Sequence, residues 1–141
     1  MERMVCIPGK SIHQKRHRHF LKNGRVIIYD PSAKEKKSIV TILLAENDFG
    51  ETVNYSCSVC IVVQYLRPKS HYGTGANSDK LKKNAPLHPA VKPDIDNVAK
   101  AYLDVLVMAK IIRDDCLVNR LEVHKVYSKT PSVEIEVWSN G

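Results

Sequence analysis

The stretch from Val53 to Leu66 constrains the fold most strongly. It is dense in β-branched and other apolar side chains and stops at Arg67-Pro68. That pattern reads as a long, well-buried strand. Two helical segments accompany it. Asp30-Pro31 reads as an N-cap followed by proline at the first helical position. Ile39, Ile42, Leu43 and Glu46 then recur at helical spacing, with Val40 and Leu44 widening the apolar face. A helix is therefore predicted over 31–47. Further on, Val98, Ala101, Tyr102, Val105 and Leu106 fall at i, i+3, i+4, i+7 and i+8, an amphipathic stripe. Asp94 and Asp96 stand at its start, where side-chain oxygens can cap free amides.

Shorter strands surround these elements. Met4 to Pro8 forms a first strand that ends at the Pro8-Gly9 turn, and Asn23-Gly24 makes a hairpin-type turn before Val26, Ile27, Ile28 and Tyr29. Leu117 to Ser128 and Ser132 to Trp138 read as two final strands, with Thr130-Pro131 turning between them. With 141 residues and no internal repeat, the expectation is one domain over 1–141. Its class is α/β (α+β), with a mixed β-sheet and two main helices. Residues 67–93 stand apart, rich in Lys, Ser, His, Gly, Asn and Pro with almost no apolar periodicity. Such long loops are usually functional or disordered. This one carries Lys69, His71, Lys80, Lys82, Lys83 and Lys92. It either closes over a polyanion or is a mobile insertion.

The formal net charge is +7, which favours a polyanionic partner. Within residues 1–25, Arg3, Lys10, Lys15, Arg16, Arg18, Lys22 and Arg25 face a single acid, Glu2, with His13, His17 and His19 among them. A solvated face and a phosphate-binding surface both fit that run. The cysteines, Cys6, Cys57, Cys60 and Cys116, are irregularly spaced, which argues against a disulfide framework. Cys57 and Cys60 point to opposite faces of their strand. A zinc ribbon needs a second such pair, so these read as small core residues. No apolar run approaches the ~20 residues of a membrane span, and no secretory signal is visible. The expected location is the cytosol.

The acidic residues carry the chemistry. In Lys92-Pro93-Asp94-Ile95-Asp96-Asn97-Val98-Ala99-Lys100, an extended Asp94–Asp96 step would project both carboxylates to one side, with Cα atoms about 6.5 Å apart. Two facing carboxylates repel, and a divalent cation such as Mg²⁺ relieves the conflict by sharing their oxygens. Asp114-Asp115 supplies a second pair beyond the helix. A strand running back along the helix would be needed to bring Asp115 to the first pair. The alternative is that Asp94 or Asp96 is only an N-cap and Asp114-Asp115 only a turn. A calcium loop is excluded, because Ala99 and Val105 stand where an EF-hand needs Gly and Glu.

These residues resemble the RusA family of Holliday-junction resolvases. The likeness runs through Lys92 to Lys100, Leu103-Asp104 and Ile111-Ile112-Arg113-Asp114-Asp115. It extends to Pro8-Gly9-Lys10, Lys15-Arg16-His17-Arg18, Tyr29-Asp30-Pro31, Pro68-Lys69-Ser70-His71, and Lys125, Tyr127, Pro131 and Glu134. Val107-Met108-Ala109-Lys110 departs from it, replacing the Asn-Gly turn that relatives often have, and His17 sits where many have proline. The resemblance implies a homodimer in which each subunit cuts one strand of a four-way DNA junction with Mg²⁺ or Mn²⁺. It also implies that Asp94, Asp96 and Asp115 are catalytic metal ligands, with Lys100 in the catalytic region. Asp114 is a second-rank ligand. Lys15, Arg16, Arg18, Lys69, Lys80, Lys82, Lys83 and Lys92 are then the expected DNA-backbone contacts. A flap nuclease of broader specificity, a non-catalytic DNA-binding module and a protein docking on an acidic partner are the competing readings.

Overall fold

The computed structural model describes residues 2–46 and 49–139. Among these the strands are β1 (Glu2–Pro8), β2 (Arg18–Lys22), β3 (Arg25–Tyr29), β4 (Cys57–Leu66), β5 (Val118–Ser128) and β6 (Ser132–Ser139). The α-helices are α1 (Ala33–Glu46) and α2 (Ile95–Met108). Four strands form a mixed sheet in the order β1-β6-β4-β5, while β2 and β3 pair as a separate hairpin. β4 and β5 are parallel, and the other neighbours are antiparallel. Parallel pairing requires a crossover, and α2 lies within it. The α+β class with two helices and a mixed sheet is as expected.

Register explains the core. Ile61 stands opposite Ile135 on β6 and Val123 on β5, and Ile135 stands opposite Val5 on β1. Val63–Val133–Ile7 and Val59–Val137 repeat the row one pleat away on either side. These residues are buried, Val123 only partly, together with Val98, Ala101, Tyr102, Val105 and Leu106 of α2 and Val40 and Leu43 of α1. The whole α2 stripe is therefore core. In α1 the apolar face is narrower than expected, with Ile42 and Leu44 turned to solvent.

Several boundaries differ from the sequence reading. α1 starts at Ala33, since Asp30 closes a turn by accepting from the Ser32 amide at 2.9 Å. The predicted end at Asn47 lies outside the described residues. β4 starts at Cys57, because the polar step Asn54–Ser56 is exposed. Val53 is buried separately, through a lone parallel bridge to Ile112. The basic Arg18–Lys22 run is a strand, made so by the Asn23-Gly24 turn. Both turn residues have positive φ, 53° and 73°, as a tight hairpin with the right twist demands. β5 and β6 are not neighbours, so the Thr130-Pro131 turn carries the chain across β4. Residues 67–93 are not structureless. They contain two short 3-10 turns, Lys69–His71 and Gly75–Asn77, and a Tyr72–Leu81 bridge. Arg67 anchors the segment, donating to the Pro86 carbonyl at 2.7 Å and lying 4.4 Å over the Tyr127 ring.

Candidate active site

The first turn of α2 forms one end of a large open cleft. The segment 10–17 lies across it, fixed by the Gln14 amide donating to the Asn97 carbonyl at 2.8 Å and the Ile12 amide to the Tyr102 hydroxyl at 2.9 Å. Burial pushes that tyrosine up to about 12, so it stays a neutral clamp. Asp94 and Asp96 open into the cleft beside Lys10, His13, Lys15, Arg16, His17, Lys92 and Lys100. Local charge is thus three carboxylates, Asp94, Asp96 and Glu35, within a basic wall.

Asp94 is extended (φ −66°, ψ 146°) and immediately precedes the helix, yet its side chain caps no amide. It accepts instead from the Lys92 ammonium at 2.7 Å. That contact, helped by Lys125, holds its carboxyl below the usual range. Asp96 lies in the first helical turn and accepts from the Asn97 amide at 2.9 Å. The extended Asp94–Asp96 step is therefore replaced by a helix start, and both carboxylates remain exposed.

Asp114 and Asp115 are placed elsewhere. They line a second concavity with Asp30, Lys36, Asp104, Val107 and Met108, at the far end of α2. Most of α2, residues 97–108, lies between the two acidic pairs, about 18 Å at 1.5 Å per residue. The expected returning strand exists, but Asp115 precedes its first residue and stays behind. What β5 delivers to the start of α2 is Lys125. Its ammonium donates to the Val91 and Pro93 carbonyls at 2.6 and 2.9 Å and pins the segment that carries Asp94. At the far end, the Cys116 amide and thiol and the adjacent Asp115 carboxyl hold Asp114 below the usual carboxylate range.

Between the pairs runs a chain of ionic contacts. Lys100 meets Asp104, one turn on, at 3.4 Å. Asp104 also accepts from Lys36 at 2.7 Å, and Lys36 is buried, donating to Asp30 at 2.9 Å and to Gln14 as well. Sequence reasoning gave Lys36 and Gln14 no part in the site, and assigned no role to Asp30 beyond capping α1. Of the expected DNA contacts, Lys15, Arg16 and Lys92 line the cleft, and Lys15 is paired with Glu35 at 3.0 Å. Arg18 lies on the hairpin, beside His17, His19, Val26 and Ile28. Lys69, Lys80, Lys82 and Lys83 are exposed on the 67–93 segment and do not line the cleft.

The family model for the endodeoxyribonuclease RusA matches residues 8–138, nearly the whole chain and every residue of the two acidic pairs and the basic cleft. The chain belongs to the RusA endodeoxyribonuclease family. An uncharacterised protein of Bacillus subtilis (strain 168), YqaN, is 32% identical over 139 residues, spanning 95% of this chain and 96% of that protein. RusA membership makes the chain one of a family of DNA-cutting enzymes. No helix among the described residues is long and apolar enough to cross a membrane.

Proposed function

We propose that this chain is a metal-dependent endonuclease that nicks branched DNA, four-way junctions foremost, as a homodimer in recombination and repair. The observation that carries the reading is the exposed pair Asp94 and Asp96 in a cleft walled by Lys10, Lys15, Arg16, Lys92 and Lys100. A protein that only bound phosphate would gain nothing from acids there, since they repel the ligand.

The donor set fits a hard divalent cation. Asp94, Asp96, Asp114 and Asp115 offer carboxylate oxygens, the ligands of Mg²⁺ and Mn²⁺. Among the described residues the hydrogen bonds found on Asp94 and Asp96 use Oδ1 in both cases. When bound, the cation supplies activation of water and neutralisation of phosphate charge. The chain's own residues do the rest. Basic side chains of the cleft hold the backbone phosphates, which positions DNA without reading sequence. Lys92 and Lys125 hold Asp94 in place. Lys100 is exposed on the same face of α2 and supplies positive charge beside the scissile phosphate as water attacks in line and the 3′ oxygen leaves.

A homodimer also accounts for the separated acids. In a two-fold pair each acidic set occurs twice, so Asp114-Asp115 of one subunit can complete the Asp94–Asp96 site of the other. Junction preference then follows from the spacing of two such sites. The direct test is cleavage of a labelled four-way junction beside linear duplex and flap DNA, with Mg²⁺ or EDTA. Paired symmetric nicks on the junction alone, dependent on Mg²⁺, are expected. Metal-dependent cutting of flaps at equal rate would favour the broader nuclease, and binding without cutting the non-catalytic module. Asp96→Asn should retain fold and binding while cleavage falls by about 10³-fold, the equivalent of several kcal/mol of metal-assisted stabilisation. Full cleavage by that variant would sink the assignment.

A further inference from the structure

We propose that the sheet face turned away from the helices carries a second metal site, of the zinc class, formed by Cys60, Glu122 and His124. The sheet builds it. Cys60 on β4 stands directly opposite Glu122 on β5, and the next pair on that face is Val62 with His124. Residues two apart on a strand share a face, so Glu122 and His124 both flank Cys60. Their thiol, carboxylate and imidazole donor atoms all lie within 4.8 Å of one another.

Tetrahedral zinc holds such donors at about 2.0–2.3 Å, which sets them about 3.5 Å apart. Rotation of side chains by roughly 1 Å closes the set on one ion, while the backbone stays in its ladder. Glu122 is already divided in the required way. Its Oε1 accepts from Arg120 at 2.5 Å, and its Oε2 faces His124 Nε2 at 3.9 Å. Arg120 can therefore steady the carboxylate while the second oxygen ligates. Glu136, opposite Cys60 on β6 and lining one pocket with Cys60 and Glu122, adds negative charge.

The chemistry separates this site from the carboxylates of α2. A sulfur, nitrogen and oxygen set suits Zn²⁺ or Co²⁺ and is a poor match for Mg²⁺. Side chains of Glu122 and His124 are 43% and 56% exposed, so an ion can enter from solvent. Burial and the two glutamates push the Cys60 thiol up. As the sulfur–metal bond forms, the thiol proton passes to solvent. Cys57 takes no part, being buried on the opposite face.

Co²⁺ titration of the chelator-treated protein tests this without reference to DNA cleavage. One equivalent should bring up a thiolate-to-cobalt charge-transfer band in the near ultraviolet. Cys60→Ser should abolish the band. His124→Ala should weaken binding by at least the 10–100-fold that loss of an outer-sphere partner costs. Cys6→Ser, Cys116→Ser and Asp94→Asn should leave the band intact. Zn²⁺ should raise the melting temperature of the parent chain but not of His124→Ala. If Cys60→Ser fails to fold, His124→Ala, at an exposed position, decides the matter alone. Absence of the band in the parent protein, or its survival in a folded Cys60→Ser or at full affinity in His124→Ala, overturns the proposal.

Discussion

Lys36 is the residue on which the surroundings of the site turn. It is 3% exposed and its ammonium joins Asp30 of the turn before α1, Gln14 of the cleft segment and Asp104 of α2. Burial alone would lower its pKa, but Asp104 and Asp30 together raise it. Replacing it by Met leaves Asp30 without its cation and Asp104 with Lys100 alone. Removing one partner of a buried pair costs about 3–5 kcal/mol. Because Asp30 and Asp104 keep 20% and 27% exposure, a loss of about 3 kcal/mol in urea unfolding is expected. A loss below about 1 kcal/mol would mean that water replaces the pair. Asp30 has a second consequence. Burial raises its pKa, but the hydrogen bonds from Lys36, Ser32 and Gln14 outweigh this and hold it at about 2, against 3.8 ordinarily. A depressed carboxylate stabilises the fold fully above its unfolded pKa and loses that contribution as pH falls through the folded value. Stability should therefore fall by about 2 kcal/mol between about pH 4 and pH 2. Asp30→Asn, measured in EDTA, should flatten that limb, and an unchanged limb would assign acid sensitivity elsewhere. In Lys34-Glu35-Lys36-Lys37, nothing local marks the third residue as buried.

At the scale of elements, the segment 10–17 and the start of α2 act as one unit. The two backbone contacts to Asn97 and Tyr102 put the basic run against the aspartates. If about 6–10 phosphates are held, junction affinity should fall about 10³–10⁵-fold between 50 and 200 mM salt. Each lost phosphate contact lowers the logarithmic slope by about 0.9. Lys10→Ala with Arg16→Ala should thus lower it by about 2 and weaken binding to all sequences alike. An unaltered slope would place the DNA path outside this cleft. The Asp94 motif was legible because a helix start, a proline and an acid pair are local signals. The role of Lys125 was not, since it reaches α2 only through the parallel β4–β5 pairing.

At the scale of the whole molecule, the acidic pairs at opposite ends of α2 make a two-chain experiment decisive. Asp96→Asn and Asp115→Asn should each be inactive alone. Mixed and reassembled, they form a heterodimer in which, with shared sites, one site carries both changes and the other carries neither. If the sites are shared between subunits, the mixture regains single-strand nicking at up to about half the heterodimer's site count. If each chain holds a whole site, every site stays broken and no activity returns.

Local sequence determined the elements. The buried strand, the α2 stripe, the Asn23-Gly24 hairpin turn and the spacing of Asp94, Asp96 and Lys100 follow from periodicity and turn chemistry, which act over a few residues. Long-range packing determined the rest. Strand order set β5 beside β4, which brought Lys125 to Asp94, left Asp115 at the other end of α2, and placed Glu122 and His124 around Cys60. Burial of Lys36 likewise came from the meeting of α1, α2 and the segment 10–17. Such juxtapositions join residues tens of positions apart, and only the folded chain brings them within reach of one another.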